Sequence, residues 1–231
     1  MDGMVTFPDK YFDLAVVDVP YGIGIDKKMR DAAGTQPGNS KAPKKKYHFT
    51  DFDKESPPKE YFTELFRVSK NQIIWGANHF ISKIPFDSSC WLVWDKVTAG
   101  DFSDCELAWT SFKSPVRKFT FVWNGMLQGN MKNKEHRIHP TQKPVALYTW
   151  IYQNYAKQGD KIIDTHVGSA SSLIAAHHQG LDFIGFEISP VFYKDASERL
   201  NAEMAQTSLF TTGGGTDYIH PQMQIMEVSN V

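Results

Sequence analysis

Residues 139–189 read HPTQKPVALYTWIYQNYAKQGDKIIDTHVGSASSLIAAHHQGLDFIGFEIS, and their pattern decides the fold. Pro144 suits a first helical position, where its missing N–H costs nothing, and Val145, Leu147, Tyr148, Ile151, Tyr152 and Tyr155 then recur at helical spacing. That helix is expected to stop near Gly159. Asp160 to Asp164 (DKIID) reads as a short β-branched strand, and His166-Val167-Gly168-Ser169-Ala170-Ser171 as the bend into a second helix, Ser172 to Gln179. Leu181 to Phe186 is the next strand, with Glu187 at its carboxyl end. Helix, strand, glycine turn, helix, strand is the unit of a doubly wound, Rossmann-like α/β sheet.

In such sheets an acid about 20 residues beyond the turn accepts hydrogen bonds from ribose hydroxyls, and the glycine lets the backbone approach the ligand. G-x-G-x-x-G is absent, so nothing marks a pyrophosphate cradle, and a nucleoside without phosphates fits better. Taken alone, the turn reads equally as a plain connection. A second feature lies far upstream. Phe12 to Val17 (FDLAVV) is the near-continuous apolar run of a buried parallel strand, and Asp18-Val19-Pro20-Tyr21 follows at its carboxyl end, the edge where open α/β sheets bind ligands. Blandly, that is a turn. Chemically, it is a carboxylate, a carbonyl aimed by the following proline and an aromatic plate. Such a set can accept two hydrogen bonds from an exocyclic amino group while the ring stacks on the base.

Asp18-Val19-Pro20-Tyr21 resembles the Asp-Pro-Pro-Tyr catalytic motif of S-adenosylmethionine-dependent DNA amino-methyltransferases. His139 to Pro144 (HPTQKP) and Asp164 to Ser169 (DTHVGS) resemble that family's two cofactor motifs. The catalytic motif comes first and the cofactor motifs last, which is the permuted order called the beta class, and the resemblance extends to compact adenine-specific enzymes of phage and bacteria. It covers roughly residues 11–200. It implies a circularly permuted methyltransferase sheet with an antiparallel edge hairpin, DNA as substrate and S-adenosylmethionine as cofactor. It also implies a cytoplasmic enzyme acting alone or as the partner of a restriction nuclease.

By resemblance, Asp18 and the carbonyl of Val19 accept the N–H bonds of adenine N6, drawing the nitrogen toward pyramidal geometry for in-line attack. Pro20 aims that carbonyl, and Tyr21 stacks on a base that has left the duplex. Asp164, His166, Gly168 and Ser169 are expected to line the cofactor, Glu187 to take its ribose, and His139, Thr141 and Lys143 to lie near its carboxylate or ribose. Two positions depart from the family. Val19 stands for its first proline, and Ala170 for its second glycine, where a positive φ costs a residue with Cβ roughly 1 to 2 kcal/mol. Two alternatives remain open: a weak or silent nucleic-acid-binding homologue, and an N4-cytosine enzyme, whose motif more often begins with Ser.

With 231 residues the chain is read as one domain, 1–206, followed by a flexible tail, 207–231, that holds Gly213, Gly214 and Gly215. A formal net charge of −1 argues against coating nucleic acid nonspecifically, but cations cluster locally. A basic loop, 26–50, carries between Lys27 and Lys46 the cations Lys27, Lys28, Arg30, Lys41, Lys44, Lys45 and Lys46 against Asp31 alone. Within the segment 98–137, the interval from Lys113 to Arg137 carries Lys113, Arg117, Lys118, Lys132, Lys134 and Arg137 against Glu135 alone, interleaved with Phe119, Phe121 and Trp123. Stacking rings beside backbone-binding cations suit an unpaired strand or extruded base, so this stretch is the expected target-recognition segment. Of these, Lys28, Lys44, Lys45, Lys46, Arg117, Lys118, Lys132, Lys134 and Arg137 are the expected nucleic-acid contacts.

Ser56-Pro57-Pro58-Lys59-Glu60 reads as the opening of a helix through Val68 with Ser56 as N-cap, Asn71 to Gly76 and Cys90 to Lys96 as strands with Trp75 in the core, and Pro190 to Ala205 as an amphipathic helix. Glu106 to Phe112 and Lys118 to Trp123 alternate like paired antiparallel strands. His136, His166, His177 and His178 form no ligand set, so no metal is expected. Cys90 and Cys105 read as reduced thiols, no apolar N-terminal segment marks export or membrane insertion, and a homodimer stays open.

Overall fold

The run FDLAVV builds strand β1 (Phe12–Val17). Leu14 and Val16 enter one apolar cluster, Phe12, Ala15 and Val17 the other, as a strand covered on both faces requires. The structure, a computed structural model, describes residues 2–25, 27, 52–97, 103–124, 127–211 and 223–227. Helix α1 (Asp2–Val5) precedes β1. Helix α2 (Lys59–Val68), strand β2 (Ser69–Trp75) and two short 3₁₀ turns follow. Strands β3 (Trp91–Asp95), β4 (Cys105–Thr110), β5 (Arg117–Thr120), β6 (Trp123–Asn124) and β7 (Leu127–Gln128) come next. Helix α3 (Val145–Tyr155), β8 (Lys161–Asp164), α4 (Ser171–His178), β9 (Asp182–Glu187), α5 (Pro190–Thr211) and β10 (Met223–Glu227) complete the chain.

Eight strands form one sheet in the order β10-β9-β8-β1-β2-β4-β3-β5, and β6 and β7 form a small hairpin. Strand β1 runs parallel to both neighbours, with Leu14 opposite Asn71 of β2 and Ile162 of β8. From β1 the chain crosses to β2 on one side; from β8 it crosses through α4 to β9 on the other. Adjacent strands whose exits diverge make a topological switch point, the cleft at which open α/β sheets bind ligands. That cleft lies between Asp18, after β1, and Asp164, the last residue of β8.

Apolar residues of α3, α4 and α5, among them Leu147, Ile151, Leu173 and Leu200, close one face of the sheet. Met4 of α1 with Tyr61, Phe62 and Leu65 of α2 close the other. Helix α4 packs closely because Gly185 of β9 carries no side chain: a Cβ there would come within 2.5 Å of Val167 Cγ2 and 2.6 Å of Leu173 Cδ1.

The doubly wound sheet expected from the sequence is the fold observed, with two corrections. The antiparallel pair is β3 with β4; β4 also runs antiparallel to β2, and β5 pairs in parallel with β3 rather than with β4. Shared burial decides this. Leu92 and Trp94 of β3 enter the same core as Ala108 of β4, whereas β5 is mostly exposed and tolerates the sheet edge. The flexible tail expected from residue 207 is instead helical to Thr211, and Met223–Glu227 pairs in parallel with β9, satisfying that strand's outer edge. The segment 98–137 supplies β4, an inner strand of the sheet. The basic loop 26–50 lies outside the described residues except at Lys27.

Candidate active site

Past β1 the chain bends through Asp18, Val19 and Pro20 into a turn held by a buried acid. The Asp53 carboxylate accepts the backbone N–H of Tyr21 at 2.6 Å and of Gly22 and Ile25 at 2.9 Å. Tyr21 lies flat against Gly76, where φ is 70° and a Cβ would come within 2.0 Å of the ring. The ring also stacks on His79, with centroids 5.2 Å apart and planes 18° apart. The Tyr21 hydroxyl lies 3.0 Å from Asp18 Oδ1 and 3.1 Å from Glu106 Oε2. Val19 is buried in the second core, so replacing the family's proline adds packing there.

Lys143, which the resemblance places near the cofactor's carboxylate or ribose, reaches the catalytic motif. Its ammonium is 2.5 Å from Asp18 Oδ1 and 3.0 Å from both Tyr21 Oη and Glu106 Oε2. Glu106, on the β4 end that antiparallel pairing brings to this edge, also meets Lys96 at 2.5 Å. Burial alone would raise the Glu106 carboxyl, but Lys143 and Lys96 together hold it down at about 2. Asp18 shares Lys143 with Glu106 and meets no second lysine among the described residues, so burial wins and its pKa stays above the usual carboxylate range. Burial opposes the charge of Lys143, yet its two carboxylates outweigh that and raise its pKa.

Across the cleft, the glycine turn consumes much of its own polarity. Asp164 accepts the N–H of His166 at 3.0 Å and the hydroxyl of Ser172, and burial pushes its carboxyl up to about 7. Glu187 accepts the N–H of Gly168 at 2.8 Å and of Ser189 at 2.9 Å; burial raises its pKa against those bonds. Gly168 has φ 53°, and a Cβ there would meet the His139 ring at 3.8 Å as its nearest neighbour. His139 packs against Phe192 at 4.3 Å and Phe52 at 5.1 Å, with Thr141 Oγ1 3.2 Å from its Nδ1. Burial holds it neutral, down to about 3. Ala170 does adopt positive φ, 61°, and its methyl is buried in the core beside the sheet rather than in the cleft. Arg199 of α5 braces the turn by donating to the Ser169 carbonyl at 2.6 Å and the Ser171 hydroxyl at 2.9 Å, and it also pairs with Glu135 at 2.8 Å.

The fold thus gathers Asp18, Val19, Pro20, Tyr21, Lys143, His139, Thr141, Asp164, His166, Gly168, Ser169 and Glu187 at one sheet edge. The cations are more dispersed. Arg117 starts β5 opposite Leu92, near the start of β3 and away from this edge, and Lys118 pairs with Asp95 at 3.3 Å. Lys132 and Lys134 are exposed, and Arg137 lies over the Trp123 ring at 4.9 Å. Lys28, Lys44, Lys45 and Lys46 fall outside the described residues. A groove of about 840 Å³ lies away from the edge, between α5 and residues 133–138.

Sequence reading missed Asp53, Glu106 and Lys96. Glu106 left a signal, a lone acid inside the apolar strand CELAWT, where an unpaired charge would be costly. Among the described residues no three His, Cys, Asp or Glu side chains cluster as a metal site, and no helix is long and apolar enough to cross a membrane.

Residues 103–198 match the DNA methylase family, whose label covers N6 and N4 enzymes. A type II methyltransferase of Streptococcus pneumoniae is 38% identical over 82 residues, 36% of this chain and 30% of its own. One of Haemophilus parainfluenzae is 37% identical over 71 residues, 31% of this chain and 23% of its own. The matched stretches therefore span less than a third of these relatives. A protein of Thermus thermophilus described as a candidate DNA modification methylase, solved with S-adenosyl-L-methionine, superposes with a TM-score of 0.54 at 17% identity. That superposition covers 87% of this chain and 92% of the other. The resemblance read from the three motifs is borne out at the level of DNA methylases, and the fold is shared; adenine and cytosine are not separated.

Proposed function

We propose that this chain is a DNA amino-methyltransferase that moves a methyl group from S-adenosylmethionine to N6 of adenine. One observation carries the reading: β1 and β8 pair in register, Ala15 beside Ile163, so Asp18 and the Gly168 turn share one edge of the cleft. The residues fit the cofactor. Gly168 leaves the turn without a side chain beside the His139 ring, Ala170 is buried in the core, and the Glu187 carboxylate, though it accepts backbone N–H groups at both oxygens, has lone pairs left for ribose hydroxyls.

When bound, S-adenosylmethionine supplies an electrophilic sulfonium methyl. This chain's task is to present a nitrogen whose lone pair is normally delocalised into the base. Asp18 Oδ1 is engaged by Lys143 and Tyr21, so Oδ2 and the Val19 carbonyl accept the two amino N–H bonds. As the N–C bond forms and the C–S bond breaks, the nitrogen's surplus proton passes to Asp18 and on to solvent. Positioning supplies most of the rate. Because Tyr21 is already packed on Gly76 and His79, its hydroxyl orients Asp18 while its ring walls the base site. DNA is held by the exposed cations of 113–137 and by the lysines of 26–50. Adenine is favoured because the motif opens with Asp18 rather than serine.

The test is nucleoside analysis of DNA incubated with protein and methyl-labelled cofactor. Labelled N6-methyladenine is expected, and Asp18→Ala should cost about 10²-fold or more in turnover. N4-methylcytosine would transfer the assignment to cytosine. Cofactor binding by calorimetry with no labelled base would leave a silent nucleic-acid-binding homologue.

A further inference from the structure

We propose that His166 presents its Nε2–H to the carboxylate of the methyl donor, and that Tyr61 and Thr165 are positioning residues that fix this tautomer. The inference rests on the methyltransferase reading and deepens it. Tyr61, reaching over from α2, places its hydroxyl 2.5 Å from Thr165 Oγ1, which lies 3.0 Å from His166 Nδ1. The Tyr61 ring meets the His166 ring edge to face, 5.6 Å apart.

The direction of this chain follows from what each group must satisfy. Tyr61 is 4% exposed, and Thr165 is the hydrogen-bond partner of its hydroxyl among the described residues. A buried phenol left without an acceptor is costly, so Tyr61 donates to Thr165. A threonine hydroxyl has one hydrogen, so Thr165 donates onward to Nδ1. Nδ1 is then the acceptor, and the ring hydrogen sits on Nε2. Burial also lowers the His166 pKa to about 4, which keeps the ring neutral at physiological pH.

Place gives this donor its ligand. With the target amine at Asp18 after β1 and the ribose at Glu187 after β9, the sulfonium lies over the strand between them, β8. Its amino-acid arm then falls on the residues leaving β8, Thr165 and His166. Among the described residues the ionisable groups already there are the carboxyls of Asp18, Asp164 and Glu187, while Lys143 is committed to Asp18 and Glu106. An incoming carboxylate therefore needs a neutral donor, and His166 Nε2–H is one.

Two measurements test this. In ¹⁵N-histidine-labelled protein, long-range ¹H–¹⁵N spectra should show His166 as the Nε2–H tautomer, shifting to a mixture in Tyr61→Phe. In calorimetry, the wild type should bind S-adenosylmethionine roughly tenfold more tightly than its decarboxylated analogue, as expected for one charge-assisted hydrogen bond. His166→Phe should lose the same factor for the full cofactor and nothing more for the analogue. His166→Gln, whose amide N–H approximates Nε2–H, should recover most of it. An Nδ1–H tautomer in the wild type, or losses that multiply when variant and analogue are combined, would overturn the inference while leaving the methyltransferase intact. No cofactor binding by the wild type would remove both. If His166→Phe fails to fold, the wild-type spectrum and the wild-type preference between the two ligands still decide.

Discussion

Lys143 shares its ammonium between Asp18 and Glu106, and among the described residues only Glu106 has a second cation, Lys96. The same residue-scale accounting applies across the cleft at Asp164, which is buried with hydrogen bonds but no cation. Its carboxyl titrates near 7 when folded and near 3.8 when free. Between those values the native chain keeps a proton that the unfolded chain has lost, so this group's contribution to stability falls as pH rises from about 4 to 7. His139 and His166, depressed to about 3 and about 4, act oppositely: there the unfolded chain binds the extra protons, and stability falls as pH drops below 6.5. Asp164→Asn should remove only the first slope. Urea denaturation at a series of pH values should show the variant gaining on the wild type by a few kcal/mol between pH 4 and 7, with the gap constant above. Parallel curves would show that Asp164 ionises normally.

At the scale of elements, the close seating of α4 on β9 sets the position of the glycine turn, because that turn is the short link from β8 into α4. Gly185 permits it. Gly185→Val would drive a side chain into Val167 and Leu173, and relief requires α4 to lift from the sheet. Overpacking of this kind costs about 1 to 3 kcal/mol. The denaturation midpoint should fall accordingly, and cofactor affinity should fall with it, since Val167 precedes Gly168. An unchanged affinity would mean that the turn is held by Arg199 and Glu187 instead of by α4.

For the whole molecule, a net charge of −1 means that binding to DNA must come from local clusters rather than from the overall field. Each phosphate contact contributes about 0.9 to the slope of log affinity against log salt. Replacing Lys132 and Lys134 with glutamine together should lower that slope by roughly 2 if both touch the backbone, with equal losses on every sequence. Replacing Arg117, which starts β5 away from the catalytic edge, should change it least. Filter binding between low and moderate salt reads both, and equal slopes for all variants would move the DNA path to the segment 26–50.

Local order within the chain was enough to reveal the α/β sheet, the strand FDLAVV, the helix–strand–turn–helix–strand unit and the three motifs. Each is a short-range pattern of burial period or turn chemistry. Strand neighbours were not legible, because alternation in β4 and β5 suits any partner until shared burial assigns one. Nor was the tail's return to the sheet, since MQIME becomes a strand only beside an open edge of β9. Tertiary structure alone decided that Lys143, Glu106 and Lys96 converge on Asp18, and that Tyr61 reaches Thr165. A charge's partner is set by distance in space, and 125 residues of chain separate Lys143 from Asp18.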